Sequence, residues 1–227
     1  EFHPAFPEES VRLDPLGSWS RPSEIASRLT AMLPPDQGIF NDFAWSAVNV
    51  LVNGLFYLME KPTLVKLRHL LDGGIDNLLL CAMKKDLDER GPREWEADFN
   101  AMPYPTENRL GYPIPEVQKL AEFWESLYAE TLRGPGPEVI HPLLAASLQP
   151  ILAMLTTGSL GEMLSPDVMD EEDTRPVVTL ERVLEAGDVL YLGLDALPDR
   201  VIAGALGNLL LSDLTSYTGK RYNRSTS

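Results

Sequence analysis

GDVLYLGLDALPDRVIAGALGNLLLSDLTSYTGKRYN, residues Gly187 to Asn223, is the stretch on which the reading of the fold turns. Its first part, DVLYLGL, predicts a strand over residues 188–194. Pro198 and Asp199 suit the start of a helix, and a helix is expected over 199–218. A strand that runs through a sharp turn into a long helix is the layout of a nucleotide-handling α/β domain. Asp195 stands where such a strand ends, a position that often carries function in open α/β sheets. Asp195 and Asp199 read more simply as turn and N-cap residues. Gly204 and Gly207 lie inside the helix rather than at its tip, so close packing against a strand explains them better than phosphate contact. No Gly-rich phosphate loop precedes the stretch, because GGIDN and GPGPE lack the GKS or GKT ending. No acidic catalytic strand follows it. Both ends of the sequence are abrupt, and the expectation is a piece of a longer protein.

The charge balance narrows the partners. The chain has 227 residues and a formal net charge of −15, which would repel a phosphate backbone and suits basic or mixed-charge protein partners. His3, His69 and His141 show no ligand spacing, so a metal site is not expected. Cys81, the single cysteine, sits in LLLCAM and reads as a small core residue. FAWSAVNVLVNGLFYLM, residues 43–59, is interrupted by Ser46, Asn49 and Asn53. It falls short of the roughly 20 apolar residues a bilayer needs and reads as a buried central helix.

Between the ends the pattern is helical. PSEIASRLTAML places Ile25, Leu29 and Leu33 on one face, with Pro22 in the first turn and Pro34-Pro35 as the stop. The next helix, NDFAWSAVNVLVNGLFYLMEK, has Asn41 or Asp42 as its expected cap and is broken by Pro62. TLVKLRHLLDGG gives Leu64, Leu67, Leu70 and Leu71, closed by Gly73-Gly74. IDNLLLCAMKKDLDER continues the helical period. A long proline-rich loop follows, and then the amphipathic helix PEVQKLAEFWESLYAETL. LLAASLQPILAMLTTGSLGEML is helical, with a break expected near Pro150. DVMDEEDTRPVV is acidic and reads as a solvated linker. VVTLERVLEAGD reads as a short strand and then a short helix from Leu180.

Two separated segments carry a resemblance. LYLGLDALPDRVIAGALGNLLLSDLTSYTGKRYN resembles the segment ahead of the catalytic acidic strand in TraD-type conjugative coupling proteins. FHPAFPEESVRLDPLGSWSRPSEIASRLTAMLP resembles the segment after their phosphate loop. The closest flavour is the TraD of integrative conjugative elements and genomic islands. The likeness covers residues 2–34 and 176–223, in the right order, and is weaker through the helices between. It implies a mainly α fold: a helical-bundle insertion, the all-α domain, with a few flanking strands of a truncated RecA-like α/β core. The implied division is 1–34 as the N-terminal edge of the nucleotide-binding domain, 35–175 as the insertion and 176–227 as the return.

The resemblance also implies a role. Such coupling proteins are hexameric, membrane-anchored ATPases at the cytoplasmic face of the bacterial inner membrane. They bring relaxosome-bound DNA to a type IV secretion channel, and their all-α domain is associated with recognising relaxase, relaxosome accessory proteins or other secreted substrates. ATP and Mg²⁺ would belong to the parent protein. This chain has neither the phosphate loop nor the acidic strand, so no cofactor, no ATPase activity and no membrane contact are expected of it, and DNA binding by it alone is expected to be weak or absent. The expected partner-binding residues are Trp95, Phe99, Tyr104 and Tyr112 on the proline-rich loop and the acidic run Asp170, Glu171, Glu172 and Asp173. Lys220, Arg221 and Arg224 could face a DNA path in a full-length parent. Two other readings stay open: a free-standing acidic helical adaptor unrelated to an ATPase, and an enzyme that uses Asp195, Asp199 and Asp213 around a divalent metal.

Overall fold

A computed structural model describes residues 1–34, 38–74, 78, 81–82, 85, 88–89, 148–167, 170–194 and 199–225. The architecture is mainly helical, with a small parallel β element where the two ends of the chain meet. Trp95, Phe99, Tyr104, Tyr112 and Asp195 lie outside the described residues.

The first helix, α1 (Pro22–Thr30), starts at a proline, and a turn carries the chain on to Leu33. Ile25, Leu29 and Leu33 are all buried, as the spacing predicts. The second, α2 (Gly38–Tyr57), is the central apolar helix. Ala44, Ala47, Val48, Leu51 and Leu55 are buried, and α1 lies along it. The Trp45 indole N–H donates to the Ser27 hydroxyl at 3.0 Å and ties the two helices at their rim. Among the described residues no helix is long and apolar enough to cross a membrane.

The ends of α2 differ from expectation. The helix begins at Gly38, so neither Asn41 nor Asp42 is its cap. The Asn41 amide instead reaches back to the Pro34 carbonyl at 3.0 Å, fastening the preceding turn from inside the helix. At the other end α2 stops at Tyr57, before Pro62, and Met59 turns the chain with φ 61°. Next, α3 (Leu64–His69) is capped by Thr63, whose hydroxyl accepts from the Lys66 N–H at 3.1 Å. It passes directly into a π turn over Leu70–Gly74. Cys81 is exposed, not a core residue. The buried Leu78 and Ala82 share its segment, and Cys81 opens with Leu78 onto the same surface pocket.

Residues 148–155 are helical straight through Pro150. The expected break falls later, at Thr156 and Thr157, ahead of α4 (Gly158–Leu164). The Thr156 and Thr157 hydroxyls bond back to the Leu152 and Ala153 carbonyls, each at 2.6 Å, which closes off the helix there. Gly161 is needed next, because a Cβ on it would lie 2.5 Å from the Thr156 carbonyl oxygen.

The β element joins both ends. Strand β1 (Arg12–Leu13) runs parallel to β2 (Val177–Val178), with Arg12 opposite Val177. Phe2 makes a separate parallel bridge with Leu192. That single bridge is what remains of the strand expected over 188–194. Then α5 (Leu180–Ala186) starts at the Thr179 cap and ends at Gly187, whose φ of 72° suits glycine. The last helix, α6 (Arg200–Ser225), runs longer than the expected 199–218. Asp199 is its N-cap, accepting from the Ile202 N–H at 3.0 Å. A Cβ on Gly207 would meet Leu194 at an ordinary 3.6 Å and one on Gly204 would face open space, so the expected close packing does not demand glycine at either position.

One core runs through all of this. Phe2, Leu13, Ile25, Leu51, Leu152 and Leu206 belong to a single buried cluster.

Candidate docking site in an acidic cleft

RLDPLG, residues 12–17, organises the site, and each position has a physical task. Leu13 and Leu16 are fully buried. Asp14 accepts from the Leu16 N–H at 3.2 Å, an Asx turn, and also pairs with Lys61. The Pro15 carbonyl accepts from the buried Arg28 at 3.1 Å. A Cβ on Gly17 would lie 2.6 Å from an Asp14 carboxylate oxygen and 2.7 Å from the Thr179 methyl, so any larger residue would have to displace the Asp14 or Thr179 side chain.

Arg12 is the cation of the motif, and it is buried. Its Nε donates to the Arg175 carbonyl at 3.1 Å, and its two terminal nitrogens donate to the carbonyls of Asp167 and Asp173 at 3.1 and 2.9 Å. It also stands 3.4 Å from the Asp173 carboxylate. One planar guanidinium therefore fixes both ends of the 167–175 segment. Arg175 completes the clamp: it grips Asp173 through two bonds of 2.9 and 2.6 Å and reaches the Pro7 carbonyl at 2.9 Å. The hydrogen bonds from Arg175 and the charge of Arg12 hold the Asp173 carboxyl down at about 2. The same contact raises Arg175 above its ordinary value.

Around this clamp opens a cleft of about 550 Å³. Its rim carries Glu8, Glu162, Asp170 and Glu172. None of these four is paired with a cation among the described residues. The buried Arg12 and half-buried Arg175 bond Asp173 and backbone carbonyls, and Arg175 feels Glu8 and Glu162 only at longer range, so the rim keeps a negative balance. Such a site suits guanidinium and ammonium groups and repels phosphate.

The expected acidic run divides in two. Asp170, Glu171 and Glu172 are exposed and available at or beside the rim. Asp173 is tied to Arg12 and Arg175, so it belongs to the scaffold rather than to a solvated linker. Arg12, Arg175, Glu8 and Glu162 were not among the expected site residues. The one signal in the sequence was Arg12 itself, a cation set between Val11 and Leu13 in a short extended segment.

The metal reading does not survive the geometry. Asp199 caps α6, and Asp213 lies fourteen residues further along it, a rise of about 21 Å. Asp213 pairs with Arg28 at 2.8 Å in the α1–α6 contact, where both are buried. Burial pushes the Asp213 carboxyl up to about 6 against the pull of Arg28 and, more weakly, Lys220. Burial likewise lowers Arg28 from its ordinary value, opposed by Asp213 and Glu24. Lys220, expected to face DNA, stands 3.8 Å from Glu24 with its side chain largely covered. Arg221 remains exposed.

No family model, curated protein or solved structure matches the chain.

Proposed function

We propose that this chain is the protein-recognition portion of a TraD-type conjugative coupling protein, the part that recruits relaxosome or other secreted proteins to a type IV secretion channel. One observation carries the reading. The two segments that resemble the family, residues 2–34 and 176–223, lie far apart in sequence and converge in space. Phe2 bridges Leu192, β1 pairs with β2 in parallel, and α1 packs on α6. A parallel β element with helices packed beside it is what the flanks of an α/β core would leave at the base of a helical insertion. The acidic cleft lies at that junction, because Arg12 from the first segment holds residues 167–175 just ahead of the second.

On this reading the partner is a protein with a basic surface, and the parent's ATP and Mg²⁺ act elsewhere. The test is binding of the purified chain to relaxase and relaxosome accessory proteins, and separately to single-stranded DNA, at several salt concentrations. Protein binding that weakens with salt and drops about tenfold in the Asp170→Lys, Glu172→Lys double variant is the expected result. Tight, salt-sensitive DNA binding, or no binding of any such protein, would overturn it.

A further inference from the structure

Among the described residues, the segment after Gly187 has one paired edge and one open edge. Phe2 donates its N–H to the Tyr191 carbonyl at 2.9 Å and accepts from the Gly193 N–H at 2.8 Å. In a parallel ladder those two bonds turn the N–H and C=O of the residue between them, Leu192, toward the opposite side. The two-residue period of an extended chain turns those of Leu190 the same way. Among the described residues none of these four groups has a hydrogen-bond partner.

The side chains alternate as a strand requires. Leu190 and Leu192 pack against the core. Val189 and Tyr191 face solvent, 94% and 62% exposed. Protected edges carry lysine, proline, a bulge or a covering element, and DVLYL has no lysine and no proline. The result is a ready-made slot for one more strand, with an aromatic and a β-branched side chain beside it to grip alternate residues.

We propose that this edge docks an extended, basic segment of a partner protein, added as a strand alongside Leu190 and Leu192. Charge selects the occupant. Glu185 and Asp188 are exposed at the entry to the strand, and Arg182 on α5 is an exposed cation nearby. A second copy of the chain would bring the same acidic flank and a further net charge of −15 to the edge. A strand that alternates Lys or Arg with β-branched or aromatic residues matches both the charge and the exposed side chains. The inference shares with the proposed function the premise of a protein partner; were the chain the flank of a larger α/β core, as proposed above, that core's next strand would be the rival occupant of this edge.

The test is selection of displayed random peptides of about ten residues on the full chain, a typical strand length. Hydrogen exchange of the selected complexes then locates the site. Enriched peptides are expected to alternate basic with β-branched or aromatic residues and to lack a central proline. They should slow exchange at the Leu190 and Leu192 amides, and Tyr191→Lys or Asp188→Lys should weaken them about tenfold. Leu211→Lys, at an exposed site on α6, should leave binding unchanged. No enrichment, or peptides that leave those two amides unprotected, would overturn the proposal. So would protection that appears with rising protein concentration and no peptide, which would make a second copy the occupant. Failure of relaxosome proteins to bind, with selected peptides still protecting the edge, would sink the proposed function alone.

Discussion

Arg28 and Asp213 form the most heavily buried charge pair among the described residues, and they are incompletely satisfied: Arg28 Nε and Asp213 Oδ2 have no partner. Removing one member strands the other in the core. Asp213→Asn or Arg28→Met is therefore expected to cost about 3–5 kcal/mol in urea denaturation, while the double change Arg28→Met, Asp213→Leu recovers most of that. The pH dependence follows from burial. With its folded value raised to about 6 from 3.8, Asp213 binds its proton more readily in the folded chain. Its contribution to stability is fully present below about pH 4 and is lost as pH rises through 6. The same denaturation series, run from pH 4 to 7, should show that loss in the wild type and not in the double variant. Asp173 runs the other way. Held at about 2, it contributes above pH 4 and fails as pH falls toward 2. None of this was legible in the sequence. Asp213 reads there as one polar residue on a long helix, and its partner lies 185 positions earlier in the chain.

At the scale of elements, local chemistry was a good guide wherever it acts within a few residues. Thr63, Thr179 and Asp199 start helices as their types suggest, and Gly187 ends one with a positive φ. Asp199→Ala should lower stability by about 1 kcal/mol without altering the fold, measured by thermal or urea unfolding. The buried faces of α1 and α2 were also legible, because apolar periodicity reports burial directly. Breaks were harder. Pro150 looked like a stop, yet residues 148–155 continue through it, and the turn comes where two threonine hydroxyls bond the preceding carbonyls. The strand over 188–194 was expected from its alternation, but a strand needs neighbours, and Phe2 supplies one bridge on one side. The cleft was legible only as an acidic run. That Asp173 belongs to the scaffold depends on two arginines, one beside it and one about 160 residues away.

Across the whole molecule, the two ends of the sequence are one structural unit. Phe2 is fully buried at the meeting point, so Phe2→Ala should cost about 3–5 kcal/mol and lower the urea midpoint of the entire helical signal rather than fray one end. The parallel pairing of Phe2 with Leu192 and of Arg12 with Val177 also sets a timetable for synthesis. A ribosome adding roughly 5–20 residues per second releases the first strand about 10–40 s before its mate exists. Through that interval Phe2, Leu13 and Leu16 lack the later segment that shields them, so this stretch of the nascent chain leaves apolar side chains uncovered. Holdase chaperones that act on emerging polypeptides would find their natural target in residues 2–16, and a codon-slowed message would lengthen the exposure in proportion.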